Sequence, residues 1–311
     1  MTTRHNRLKA VCLGGGHGLH ATLEAMRLIT TDVTAVVCVG DDGGSSGRLR
    51  EEFPGLLPPG DIRKALCALA SENARKKGIP ELLEHRFVSA GPLNGHSLGN
   101  LILTAQWQNS DDVLQGIRNI QNMFGVDGTV LPGAAVPLNL FADVEDARTG
   151  KTLVVRSQRR IAKVTGRIRR LRIVPADPPV FPEVVEAIES ADVVTLGPGS
   201  WYTSLLVHLL APGIRRALKE TDAKTVLIMN LVPDGETTGL DERGQIESFR
   251  EYAGGFVPSV ILADSHLEVP DSAVPSGSVL VRERLASRNQ QGMHDVVSLS
   301  VGLENAIDAV S

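Results

Sequence analysis

The run KAVCLGGGHGLHATLEAM, residues 9–26, sets an apolar stretch, the glycines Gly14, Gly15, Gly16 and Gly18, and an amphipathic stretch end to end. An apolar run, a glycine cluster and a helix-period pattern in that order read as strand, tight turn and helix. The run TAVVCVGDDGGSSGRL, residues 34–49, repeats the first half of the plan. Its buried-type strand ends in Asp41 and Asp42 and enters a turn of Gly43, Gly44, Ser45, Ser46 and Gly47. Together the runs make a first βαβ unit whose strand ends carry backbone donors and paired carboxylates. Such an end can hold a nucleotide or another phosphorylated ligand.

The pattern predicts strand 9–13, helix 18–28 and strand 33–39, then a glycine- and proline-rich loop to residue 60. Asp61 follows Pro58, Pro59 and Gly60 at the start of a helix, where its carboxylate can cap backbone N–H groups. With helices over 79–87, 97–108 and 111–124, residues 60–124 form a helical subregion, expected as a cap over the ligand edge of the sheet. Residues 129–174 shift toward a period of two and are expected to form a small antiparallel β-ribbon. Alternation then resumes, with helix FPEVVEAIESA, strand DVVTLG, helix WYTSLLVHLL, strand KTVLIMNLV, helix GQIESFREYAG and strand PSVILAD. The expected architecture is a single α/β domain over residues 1–311. It has a Rossmann-like, mostly parallel sheet, a helical insert and a small antiparallel β insert.

Net charge is −4, which gives no global pull toward nucleic acid. No apolar run reaches the ~20 residues of a membrane span. Cys12, Cys38 and Cys67 are too far apart for a metal cluster or disulfide scaffold, and a reduced, cytoplasmic setting is expected. The basic stretch Arg156, Arg159, Arg160, Lys163, Arg167, Arg169, Arg170 and Arg172 reads first as a solvated face, then as a surface for an acidic partner. Homo-oligomerisation stays open.

Residues 16–21, Gly16-His17-Gly18-Leu19-His20-Ala21, fit the GxGxxG/A turn, and Asp41 lies 25 positions beyond Gly16, where such folds bind ribose. On that motif alone, a dinucleotide site and a bare turn are both open. Asp41 and Asp42 suit a divalent cation such as Mg²⁺, sugar hydroxyls or a catalytic base, or else only a turn. In LGPGSWYTSLL, Gly197, Gly199, Ser200, Tyr202 and Thr203 describe either an anion cradle or a capped connection. In GPLNGHSLGNLIL, Asn94, His96 and Asn100 surround a helix start that Ser97 can cap. His96 is the first candidate for a titrating residue and His17 the second, and with Asp41 and Asp42 His96 completes the catalytic candidates. NLVPDGETTGL supplies Asn230, Glu236, Thr237 and Thr238, to read a base or sugar or only to form a polar loop.

In this order, GGGHGL, VGDDGGSSGRLR, LPPGDIRKAL, GHSLGNLIL, LGPGSWYTSLL and NLVPDGET closely resemble the YvcK-type gluconeogenesis factor family, from about residue 9 to residue 265. That family is related to CofD, 2-phospho-L-lactate transferase. The resemblance implies a cytoplasmic CofD-like α/β fold that binds a UDP-sugar, UDP-glucose or UDP-N-acetylglucosamine. It further implies a role in cell shape and wall synthesis during gluconeogenic growth. In the transferases the aspartate pair after the second strand helps to bind the deazaflavin acceptor, and Asp41 and Asp42 match it in position. The alternative implied function is therefore a Mg²⁺-dependent transferase acting on a nucleotide-linked donor, with Asp41, Asp42 and Asp61 as the candidate ligands of the metal ion. A nicotinamide dehydrogenase ranks last, because the other glycine turns do not support it. His17 stands where many family members carry threonine, and residues 239–250 depart from the usual run.

Overall fold

A computed structural model describes residues 8–110, 112–146, 148–288 and 292–311. Seven strands form a wholly parallel sheet: β1 (Lys9–Gly14), β2 (Asp32–Val37), β3 (Thr129–Pro132), β7 (Val193–Leu196), β8 (Lys224–Ile228), β9 (Val260–Asp264) and β10 (Val279–Glu283). Their spatial order is β10-β9-β8-β7-β1-β2-β3. The chain thus moves outward from β1 to β3, then restarts beside β1 at β7 and moves outward the other way. The order reverses between β1 and β7, where open α/β sheets form their binding crevice. Central strands such as β7 (VVTL) and β9 (VILAD) are buried throughout, as strands covered on both faces must be.

Helices α1 (Gly16–Met26), α3 (Pro59–Ala68) and α13 (Val296–Asp308) pack side by side over the sheet, with α3 lying on β2 and β3. Between them in sequence come α2 (Gly44–Glu52), α4 (Glu72–Lys76), α5 (Ile79–Glu84), α6 (Leu98–Gln108), α7 (Val113–Phe124), α8 (Gln158–Ile161), α9 (Pro182–Glu189), α10 (Val207–Leu209), α11 (Pro212–Glu220) and α12 (Glu242–Ala253). A π-helical turn, Trp201–Leu206, leads into α10. The antiparallel sheet has order β5-β4-β6, from β4 (Asn139–Glu145), β5 (Thr152–Arg156) and β6 (Arg167–Val174). No helix among the described residues is long and apolar enough to cross a membrane.

Beyond the last element expected from the sequence lie β10 and α13, and three details differ within the expected part. Residues 129–132 do not begin the antiparallel section; as β3 they pair in parallel with β2 at the sheet edge. TVLP is too short for its periodicity to distinguish the two sheets. The loop expected before residue 60 contains helix α2, hidden because its GSSG opening is built of poor helix formers. The first helix begins at Gly16 rather than residue 18, which places His17 and Gly18 inside its first turn.

Candidate functional site

The glycine turn after β1 brings two backbones into contact. Gly16 has φ +61°, a left-handed conformation that glycine adopts without strain. A Cβ on Gly18 would lie 2.1 Å from the Pro198 carbonyl oxygen and 2.7 Å from Gly199 Cα. Only glycine lets α1 lie against the loop that follows β7. The Thr22 hydroxyl joins the same two elements, within 3.2 Å of both the Gly18 and Gly197 carbonyl oxygens. Asn230, just past β8, holds the loop from the other side. Its Oδ1 accepts from Gly199 N at 3.0 Å and its Nδ2 donates to Gly199 O at 2.8 Å. Behind the turn, buried His208 meets Gly14 O through Nε2 at 3.1 Å. Burial lowers its pKa to about 4, so the ring is neutral and Nε2–H is the donor. His208 was not singled out from sequence; it lies in an apolar helix pattern that carries no sign of this contact. Between these loops lies a cavity of about 190 Å³, with His17, Gly18, Pro198, Gly199, Asn230 and His294 in its wall.

A carboxylate cluster adjoins the turn. Asp41 accepts from Gly43 N at 3.0 Å, and burial and the nearby Asp61 charge raise its pKa above the ordinary carboxylate value. Asp61 occupies the first turn of α3 and pairs with Lys64 at 3.4 Å. A Cβ on Gly15 would come within 2.8 Å of Asp61 Oδ2, and one on Gly60 within 2.8 Å of Asp41 Oδ2. Ser46 accepts from Gly60 N at 3.1 Å, tying α2 to α3. The Lys64 ammonium lies 4.0 Å from the Cβ position of Gly16, and it holds the His17 pKa below the ordinary imidazole value, with burial second. Lys64 was also missed, although the Asp61–Lys64 spacing of one helical turn in LPPGDIRKAL was a usable signal.

Asp42 does not join Asp41 and Asp61 as a third metal ligand. Its carboxylate accepts from Ser157 Oγ, Gln158 N and Arg159 N, all at 3.0 Å, and so fixes the start of α8. Among the described residues no group of three or more His, Cys, Asp or Glu is placed to hold a metal ion.

Ser45, His96 and Asn100 meet in a buried network instead of opening to the crevice. Ser45 Oγ lies 3.0 Å from His96 Nδ1 and accepts from Asn100 Nδ2 at 3.0 Å. Asn100 Oδ1 in turn accepts from Arg63, which also bonds Ser97 and grips Glu84 through Nε at 3.1 Å and Nη2 at 3.0 Å. Burial, then the Arg48 charge, keeps the His96 pKa below its ordinary value. Asn94 lies on an exposed turn, where Oδ1 accepts from Ser89 N at 3.2 Å. This group acts on the site through the placement of α2 and α3.

The family model described as 2-phospho-L-lactate transferase CofD matches residues 10–300. The chain belongs to the CofD family. A Mycobacterium tuberculosis relative is 44% identical over 258 residues, which are 82% of this chain and 75% of that protein. The gluconeogenesis factor of Bacillus subtilis is 36% identical over 265 residues, or 85% of this chain and 80% of the relative. The crystal structure of a UPF0052-family protein from Bacillus halodurans superposes with a TM-score of 0.85 at 31% identity, covering 97% of this chain and 98% of that one. Within the CofD family, this chain is of the YvcK-type gluconeogenesis factor kind.

In this CofD-family chain the second glycine loop is filled from within. Glu236, 1% exposed, accepts from Tyr202 N at 2.7 Å and from Thr203 N at 2.9 Å, and takes the Thr203 hydroxyl on its other oxygen. The helix start at Ser200, read as a possible anion cradle, therefore has two of its first-turn donors, those of Tyr202 and Thr203, occupied by the protein's own carboxyl group. Burial raises the Glu236 pKa from 4.5 to about 7 against the pull of those hydrogen bonds. The folded state thus binds this proton more tightly than the unfolded state. Its contribution is intact below pH 4.5 and is lost as pH rises through 7, on the order of 3 kcal/mol in all. Urea unfolding of Glu236→Gln is expected to lose that slope while keeping the fold, because a glutamine oxygen can still accept both N–H groups. An unchanged slope would assign the titration elsewhere.

Proposed function

We propose that this chain is a nucleotide-sugar-binding regulatory protein of YvcK type, acting in cell-wall and cell-shape homeostasis during gluconeogenic growth in the cytoplasm. Its ligand in this reading is a UDP-sugar, UDP-N-acetylglucosamine or UDP-glucose, held between the loops after β1 and β7. One contrast carries the placement of the diphosphate. Two helices start at the point where strand order reverses, and Glu236 fills the start of the second. The first, α1, has no side-chain cap at Gly15 and no acidic residue in its first turn. Its first-turn N–H groups and helix dipole favour an anion. Lys64 adds a cation beside Gly16. The cavity past Gly18 and Asn230, about 190 Å³, adjoins this helix start and would take one end of the ligand, the rest lying along the open crevice.

Calorimetry with UDP-N-acetylglucosamine, UDP-glucose, GTP and NAD tests this reading. A UDP-sugar is expected to bind, with affinity about tenfold weaker in Lys64→Ala through loss of one charge-assisted contact. Gly16→Val is expected to abolish binding. Binding of GTP with no UDP-sugar bound would overturn the reading.

The Asp41–Asp61 pair favours a second reading, a Mg²⁺-dependent transferase acting on a nucleotide-linked donor. Asp41 is raised in part by the charge of Asp61, a repulsion that a shared cation would relieve. Two carboxylates beside a phosphate site suit Mg²⁺, which keeps several waters and bridges phosphate oxygens. In this reading Asp41 and Asp61 would hold the ion, which would supply charge neutralisation on the phosphates. A Mg²⁺-dependent turnover lost in Asp41→Asn would select it.

A further inference from the structure

Residues 139–174, the antiparallel insert, carry ten Lys and Arg side chains against the three acids Asp143, Glu145 and Asp146, within a chain of net charge −4. The structure exposes that charge and keeps it. Leu140, Ala142, Val144, Ile168, Leu171 and Ile173 face inward and are buried. On the other face, β4 sets Phe141, Asp143 and Glu145 opposite Arg172, Arg170 and Arg167 of β6. Only Arg169 and Arg172 form ion pairs there among the described residues, with Glu145 and Asp143. Beside this face, among the described residues β5 pairs only with β4, and its other edge is open. That edge strand carries exposed Leu153 (56%) and Val154 (58%) between Lys151 and Arg156. An open edge bearing apolar side chains is a template for strand addition.

We propose that the insert is a docking platform for an extended acidic segment of another protein, added as a strand along β5. The segment's main chain would take the free edge, two successive apolar side chains would cover Leu153 on one face and Val154 on the other, and flanking carboxylates would meet Lys151 and Arg156. Charge selects this occupant. A second copy pairing through β5 would crowd the Lys151 and Arg156 cations of both copies along one short seam and bring two strongly basic inserts together. Single-stranded nucleic acid needs aromatic platforms. Phe141 is the one aromatic residue of the insert, and Arg156 already covers its ring at 5.5 Å from the centroid.

The test is fluorescence anisotropy of a labelled synthetic peptide with two central valines flanked on both sides by glutamates, titrated with the full chain at increasing salt. A lysine–valine peptide, an oligouridine and vesicles containing phosphatidylserine are run beside it. The glutamate–valine peptide is expected to bind and to weaken steeply with salt. The pair Val154→Thr and Arg156→Glu should weaken it at least about tenfold, while the chain keeps a cooperative thermal unfolding transition. Arg156→Glu alone, which leaves the strand's apolar pair intact, should give an intermediate loss. Absence of binding, equal binding of the lysine–valine peptide, indifference to the β5 substitutions, or preference for RNA or vesicles would each overturn the proposal.

Discussion

Gly18→Ala is expected to be among the most damaging single-methyl changes in this protein. The added carbon would sit 2.1 Å from a backbone oxygen, Pro198 O, and neither partner is a side chain that can swing aside. Relief requires α1 to back away from the loop after β7, breaking the Thr22 hydroxyl's reach to Gly197 and widening the crevice. Overpacking of this kind costs about 3 kcal/mol, at the upper end of its usual range. Gly44→Ala is the natural control. Gly44 has φ +50° and nothing within 4 Å of its Cβ position, so the same methyl costs only the left-handed conformation, about 1 kcal/mol. Urea unfolding of both variants separates clash from conformation. Equal destabilisation would mean that the approach of α1 to Pro198 is not under constraint.

Arg63→Met is expected to cost a similar amount by a different route. The Arg63 guanidinium is 1% exposed and joins α3 to Glu84 of α5, Ser97 and Asn100. Methionine can fill the volume but returns no donors. Glu84 is 43% exposed on its side chain and can turn to water, whereas Ser97 and Asn100 are buried and cannot. Removing one partner of a buried charge network typically costs 3–5 kcal/mol, and the escape of Glu84 puts this case near about 3 kcal/mol. Arg63→Lys should recover little, since a single ammonium cannot reproduce the fork that serves Glu84 and Asn100 together. Because Asn100 also donates to Ser45, both variants should loosen α2, seen as faster amide exchange over residues 44–52. Wild-type exchange in either variant would show that α2 does not depend on this network.

Most of the sheet was legible in the sequence because its strands are buried on both faces and read as unbroken apolar runs between glycine turns. The alternation of those runs with helical patterns identified a parallel sheet, and the break into period two identified the antiparallel insert. Helix α2 was not legible, since Gly44, Ser45, Ser46 and Gly47 are poor helix formers whose partners lie far away in sequence, His96 and Asn100 for Ser45 and Gly60 for Ser46. Gly47 must also lack a Cβ, which would lie 2.2 Å from Asp42 O. Around the site, the glycine turns were visible as composition, but the uses of the side chains between them were not. Asp41 and Asp42 are adjacent and chemically identical. One lies against Gly60 beside Asp61, while the other reaches residues 157–159, more than a hundred positions away, and no local pattern encodes that choice. Glu236 and His208 illustrate the same limit, each being defined by a backbone partner from a distant loop.

The reversal of strand order between β1 and β7 has a consequence for synthesis. One wall of the cavity comes from His17 and Gly18, and another includes Met293 and His294, which lie more than 270 positions further along the chain. Helix α13, which follows them directly, packs on α1. A nascent chain can close β1, α1 and β2 early, since those contacts are local. It cannot complete the cavity until residues far along the chain have left the ribosome and docked against the first helix. A ligand held there stabilises only the finished molecule. Occupancy would therefore act as a late seal between segments far apart in the sequence, favouring molecules in which α13 has docked on α1.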